Sequence, residues 1–277
     1  MLSRLCIHDL ATGATNELLA TDRLIEAPNW TPDGTSLIVN GDGLLFRVPL
    51  AAPELRPIDT GPAVQCNNDH GISPDGRWLV ISDSTDTGQS CIFTLSAEGG
   101  TPRRITAEVP SWWHGWSPDG ATLAYVGRRE GGFGLYTIAA EGDGAETHLI
   151  SGGGHYDGPD FSPDGRWIWF NSDRGGSMDL WRIPAKGGAP EQMTRDERVN
   201  WFPHPSPDGR TVLYLSYEPE TQGHPRGRDV ELRLLDPADG RVATLIALFG
   251  GQGTINVPCW APGGGRFAFV RYGREAA

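Results

Sequence analysis

Short apolar runs recur along this chain at nearly even spacing: Ser36-Leu-Ile-Val39, Trp78-Leu-Val-Ile81, Thr122-Leu-Ala-Tyr-Val126, Trp167-Ile-Trp-Phe170, Val212-Leu-Tyr-Leu215 and Phe267-Ala-Phe-Val270. Runs this short, rich in β-branched and aromatic residues and bounded by Gly, Pro and Asp, predict strands. Further pairs follow them, among them Leu44-Leu-Phe-Arg-Val48 with Leu55 to Ile58, Cys91 to Leu95 with Arg103 to Ile105, Gly134 to Ile138 with Thr147 to Ile150, Leu180 to Ile183 with Gln192-Met193, and Glu231 to Leu235 with Val242 to Ile246. The chain is predicted to be all-β.

One phrase precedes each run of the first set: Trp30-Thr-Pro-Asp-Gly34, Ile72-Ser-Pro-Asp-Gly76, Trp116-Ser-Pro-Asp-Gly120, Phe161-Ser-Pro-Asp-Gly165, Pro205-Ser-Pro-Asp-Gly209 and the worn Trp260-Ala-Pro-Gly-Gly264. Its Pro presets φ, its Asp bonds its own backbone and its Gly accepts positive φ, so the phrase is a hairpin turn. Asp33, Asp75, Asp119, Asp164 and Asp208 are 42, 44, 45 and 44 residues apart, with 55 more to Gly263. That period is a propeller blade's. Six repeats of four antiparallel strands predict a six-bladed β-propeller. The last blade lacks its second strand pair at the C-terminus, and an orphan pair, Leu5 to His8 with Asn16 to Leu19, stands at the N-terminus to complete it two plus two. Such closure leaves no long sheet edge open, and residues 1–277 are expected to form one domain.

The Trp/Phe-Ser-Pro-Asp-Gly-Arg phrase followed by an apolar strand resembles the six-bladed propeller of TolB-type proteins, over nearly the whole chain. The resemblance implies blade architecture. Because its residues build the turn, function is to be sought where the copies differ.

The net charge of −12 argues against a nucleic-acid partner, which needs a basic surface. No apolar run approaches the ~20 residues of a membrane span, and Met1 to His8 enters a strand without a basic segment and apolar core like those of a leader. A cytoplasmic protein is expected. Cys6, Cys66, Cys91 and Cys259 show no Cys-x-x-Cys spacing, so neither a disulfide framework nor a thiolate zinc site is predicted.

Just before the turns the copies diverge, at the end of the inner strand beside the central channel. Glu26, Asn68, Asp69, His70, His114, Asp157, Asp160, His204, Asn256 and Cys259 fall there, with His155 close by and the aromatics Trp112, Trp113, Trp201 and Phe202 beside the same turns, suited either to packing between blades or to a ligand wall. His70, His114, His155, Glu26 and Asn256 are candidate ligands for a divalent metal, manganese or zinc if the imidazoles dominate, calcium if the amides and carboxylates do. Asp157 or His204 is the candidate general base. Asn68, Trp113, Arg174, His224, Arg226 and Gln252 are candidate substrate-binding residues, with Arg174, Arg226 and Arg228 suited to an anionic group. His224 and Arg226 lie on an enlarged loop, Tyr217 to Asp229, of the kind that closes over ligands.

Among propellers, the lactonase and phosphotriesterase families hold calcium on Glu, Asn and Asp, and Glu26, Asn68, Asp157 and Asn256 are similar in residue type. Oligogalacturonate lyases use histidines and a glutamine around manganese, a set that His70, His114, His204 and Gln252 resemble in type. These likenesses imply a metal-dependent hydrolase or lyase acting on a small anionic, ester or sugar-derived substrate. Two other readings stand beside it: a Cys259-His204-Asp160 relay, and a noncatalytic propeller that binds a protein or small-molecule ligand through the same face.

Overall fold

The computed structural model describes residues 1–130, 132–142 and 144–274. The chain opens with β1 (Ser3–Asp9) and β2 (Thr15–Thr21) and then lays down five blades of four strands. Blade 1 is β3 (Glu26–Trp30), β4 (Ser36–Gly41), β5 (Leu44–Pro49) and β6 (Arg56–Ile58); blade 2 is β7 (Cys66–Ile72), β8 (Trp78–Asp83), β9 (Cys91–Ser96) and β10 (Arg103–Arg104). Blade 3 is β11 (Ser111–Trp116), β12 (Thr122–Arg129), β13 (Gly132–Ala139) and β14 (Thr147–Ser151). Blade 4 is β15 (Tyr156–Phe161), β16 (Trp167–Ser172), β17 (Asp179–Pro184) and β18 (Glu191–Gln192); blade 5 is β19 (Val199–Pro205), β20 (Val212–Tyr217), β21 (Arg228–Leu235) and β22 (Val242–Gly250). All pairings are antiparallel.

The sixth blade joins the two ends, with β23 (Arg266–Tyr272) pairing along the whole of β1. Its innermost segment departs from the expected strand. It touches β23 through the Trp260–Phe267 bridge and through Ala268 N–H to the Cys259 carbonyl (2.9 Å) and Val270 N–H to the Thr254 carbonyl (3.1 Å). The tight loop Gly251 to Asn256, closed by Thr254 N–H on the Gly251 carbonyl and Gly253 N–H on Asn256 Oδ1, takes the place of regular pairing.

The apolar residues pack between blades. Six buried clusters occupy the six blade interfaces in order, from Ile38, Leu45, Leu79 and Ile81 between blades 1 and 2 to Leu5, Val270, Trp30 and Leu37 between blades 6 and 1. Both faces of a blade are therefore covered. That is why β4 and β20 are buried at every position instead of alternating.

The repeated phrase does the work its residue types predict. Thr31, Ser73, Ser117, Ser162 and Ser206 each donate through Oγ to the Asp two residues on at 2.5–2.6 Å, and accept the N–H that opens the next strand at 2.9–3.1 Å. Each turn glycine has φ between 66° and 74° and faces the turn proline of the preceding blade: Gly76 on Pro32, Gly120 on Pro74, Gly165 on Pro118, Gly209 on Pro163, Gly264 on Pro207, and Gly34 on Pro262. The last of these contacts closes the ring.

Candidate functional site

At the opposite ends of the same inner strands the repeat breaks down. Every regular inner strand carries a bulge there. In blade 4 the strand advances three residues, Asp157 to Asp160, while β16 advances two; blades 1 and 5 do the same. Ala27, Gly158 and Phe202 take φ of 54°, 59° and 56° at these bulges. Blade 2 is more irregular, advancing four residues from Cys66 to His70 against two on β8. Bulges re-aim side chains, and this one turns Asn67, Asn68 and Asp69 toward the channel.

They line a cavity of about 320 Å³ together with Trp112, His114, Val126, Phe133, His155, Tyr156, Asp157, Phe202, His224, Gln252 and Asn256. One wall is aromatic. Trp112 stacks on Phe133 (centroids 5.9 Å), His155 meets Phe133 edge-on (4.5 Å), and His224 stands against Trp201 and Phe202 (4.4 and 5.2 Å).

The floor is a buried charge array centred on His114. Its Nε2 lies 3.0 Å from Asp157 Oδ1 and 4.0 Å from Asp69 Oδ1, and its Nδ1 faces the Asn256 carbonyl at 3.4 Å. Burial works against the imidazolium, but Asp69 and then Asp157 outweigh it and raise His114 to about 9. Asp157 also pays for burial, yet the bond and charge of His114 hold its carboxyl well below the usual range. For Asp69 burial wins, pushing it up to about 7 against the pull of His114. His224 is lowered by burial, against the pull of Asp157; its Nδ1 faces Gln252 Oε1 and its Nε2 faces Asp157 Oδ2 at 3.5 Å.

Of the residues singled out in the sequence, His114, His155, Asp157, Asn68, His224, Gln252 and Asn256 line this cavity. The others lie elsewhere. His70 is fully buried with Nε2 3.4 Å from the Ile38 carbonyl of blade 1, and burial lowers it to about 4. Trp113 packs between blades 2 and 3 against Gly71, where a Cβ would lie 2.2 Å from the indole; strand alternation gives the cavity its neighbour Trp112 instead. Arg174 lies over the Trp181 ring at 5.3 Å. Arg226 is ion-paired to Glu26 through one guanidinium nitrogen, and Glu26 also accepts from Asn40 Nδ2 at 3.3 Å.

His204 has both nitrogens engaged, Nδ1 with Asp160 Oδ2 (3.0 Å) and Nε2 with the Ile255 carbonyl (2.6 Å). That leaves no ring nitrogen to take a proton from Cys259, whose thiol burial pushes well up. The expected metal set does not converge: among the described residues no group of three or more His, Cys, Asp or Glu side chains is arranged to hold a metal ion. Asp69, Trp112 and Phe202, noted in the sequence beside these candidates, line the cavity too, whereas Asn67 and Phe133 were not anticipated. The double bulge of blade 2 brings Asn67 in, and no local signal marks it.

The fold and site define a six-bladed propeller with a ligand-sized cavity at one mouth of its channel. The TolB beta propeller domain profile matches residues 113–225. An uncharacterized protein of Agrobacterium fabrum is 49% identical over 273 residues, covering 98% of this chain and 93% of that protein. A solved structure from Agrobacterium tumefaciens, provisionally described as TolB, superposes with a TM-score of 0.97 at 48% identity and 99% coverage of both chains. The chain belongs to the TolB-like β-propeller family. Oligogalacturonate lyase in complex with manganese shares the fold at a TM-score of 0.57 and 16% identity, covering 89% of this chain and 73% of the other.

Proposed function

We propose that this protein is a recognition propeller that holds a small molecule, or the tip of a partner protein's segment, in the channel-mouth cavity. The observation that carries this reading is the pairing of an aromatic wall with a polar floor already fixed by its own bonds, in a volume of about 320 Å³. A concave, largely pre-formed site with apolar walls and a few placed polar groups is what small ligands use. Membership of the TolB-like family supports it. The hydrolase or lyase reading with a resident metal draws less support, because two of the donors it needs lie away from the cavity on other partners: Glu26 on Arg226 and His70 on Ile38. We derive no step through a metal.

The test is a thermal-shift screen of small molecules and short peptides against the wild type and Trp112→Ala. Ligands of the cavity raise the melting temperature of the wild type and lose most of that effect in the variant. Stabilisation of both proteins alike by every hit would sink the proposal. A second reading, a cofactor-free acid–base enzyme, is favoured by Asp69, which is poised near neutrality inside the cavity. It requires that a hit be turned over and that Asp69→Asn abolish turnover while leaving binding.

A further inference from the structure

We propose that the channel-mouth cavity is a site for an organic cation, an ammonium group held between Asp69 Oδ1 and Asp157 Oδ2 with its carbon face against Trp112, Phe133 and Phe202. This rests on the recognition reading above and gives it a ligand class.

Three observations carry it. The first is unused acceptor capacity. Asp69 is 5% exposed, and while its Oδ2 accepts from Asn67 Nδ2 at 2.9 Å, its Oδ1 accepts no hydrogen bond among the described residues and has only His114 at 4.0 Å. Asp157 Oδ1 takes both Gly158 N–H and His114, whereas Oδ2 faces only the His224 ring at 3.5 Å. Both residues line the cavity, so these oxygens are open to a ligand's ammonium N–H, and such a charge-assisted bond is stronger than a neutral one.

The second is charge. Two carboxylates, Asp69 and Asp157, stand against one imidazolium, His114, and no Lys or Arg lines the cavity. The arginines that the loops supply are committed elsewhere, Arg226 to Glu26 and Arg174 to the Trp181 face. With Asp69 ionised the array is short by one positive charge.

The third is the wall. Trp112, Phe133 and Phe202 border the same cavity as the carboxylates, and aromatic faces attract cations most strongly where water is excluded. An anion would meet both carboxylates. A neutral ligand of the same shape would gain the wall alone.

A pH signature follows. Asp69 is faced by His114, Asp157 and Asn67, with Glu26 beyond, and burial holds it up near 7. A bound cation favours the carboxylate, so affinity rises with pH through about 7 and falls below it as Asp69 protonates.

The experiment is calorimetric titration of the full chain at pH 8 with benzylamine, benzyltrimethylammonium, benzyl alcohol and benzoate, repeated with Asp69→Asn and with Trp112→Ala after circular dichroism has shown each variant folded. Expected is saturable binding of benzylamine, weaker binding of benzyltrimethylammonium, which keeps the charge and the wall but has no N–H to give, the alcohol weaker than benzylamine by about tenfold or more, and no benzoate binding. Asp69→Asn should cut cation affinity by about tenfold and leave the alcohol unchanged, while Trp112→Ala weakens both. Alcohol or benzoate binding as tightly as the amines in a Trp112-dependent manner overturns the cation assignment and leaves the cavity reading intact. Cation binding untouched by either substitution overturns both, and failure of benzylamine to saturate overturns the cation assignment.

Discussion

At the turn end of the inner strands, five blades repeat one set of bonds: hydroxyl to carboxylate, backbone to hydroxyl, glycine against the neighbouring proline. At the other end the side chains differ from strand to strand, even where blades 1, 4 and 5 share one bulge. Bulges replace pairing, and enclosed carboxylates and imidazoles, Asp69, His114, Asp157, Asp160 and His204, replace hydroxyls. The turn asparates bond to groups within two residues and sit in water, so each blade is satisfied by itself. The mouth charges meet across blades as well: His114 of blade 3 answers to Asp157 of blade 4, Asp69 of blade 2 and the Asn256 carbonyl of blade 6. Local bonds can be copied from blade to blade. Bonds that cross the channel cannot, because each depends on a different neighbour.

The largest consequence is at the mouth. Asp157→Ala strips the bound carboxylate from His114 and the acceptor from Gly158 N–H, and breaking such a buried pair costs about 3–5 kcal/mol. Urea unfolding measures it. A loss smaller than that of a single turn substitution would reverse the comparison.

Next comes pH. The folded value of His114, about 9, lies above that of the unfolded chain, near 6.5. Its contribution is therefore complete below about 6.5 and is lost as pH rises through about 9. Asp69, raised to about 7, adds to the decline at its lower edge. Over this range unfolding free energy should fall by about 1.4 kcal/mol per pH unit for one proton. His114→Gln should flatten the slope and Ser117→Ala should leave it. An unchanged slope in the glutamine variant would remove His114 from the account.

The turn end was legible for the reason that makes it repeat. Ser117, Asp119 and Thr122 find their partners within five residues, so sequence spacing is also spatial spacing. The candidate site was half legible. Counting back from the turn found His114, Asp157 and Asn256, but the count assumes that every inner strand keeps the same register. His70 and His114 stand at the same offset before their turns, yet two extra residues in blade 2 and one in blade 3 send them to different surroundings. The same double bulge brought Asn67 to the channel with nothing nearby in the sequence to announce it. Trp112 and Trp113 differ only by strand parity, and the bulges make parity unreadable from the turn. The candidate metal ligands share residue type more than place: Glu26 is paired with Arg226, and His70 lies against the Ile38 carbonyl away from the cavity.

A smaller effect belongs to the turn itself. Ser117→Ala removes the donor to Asp119 and leaves Thr122 N–H without its acceptor at a buried position. The cost should be about 1–2 kcal/mol, with ligand binding at the far mouth unchanged. Altered affinity in this variant would show that the two ends communicate.

The smallest stability effect should fall on the residue that matters most for recognition. Trp112 is half-buried, with one face on Phe133 and the other toward the cavity, whereas Trp113 beside it fills the space between two blades and is fully enclosed. Replacing Trp113 by alanine should cost about 3–5 kcal/mol through the cavity left behind. Trp112→Ala has no such void to leave, because its outer face already borders open space, and its cost should stay below about 1 kcal/mol. Paired urea titrations of the two variants measure that contrast on adjacent residues of one strand. Equal losses would mean that the mouth of the channel is packed as tightly as its interior, and the aromatic wall would then be core and not a surface kept for a ligand.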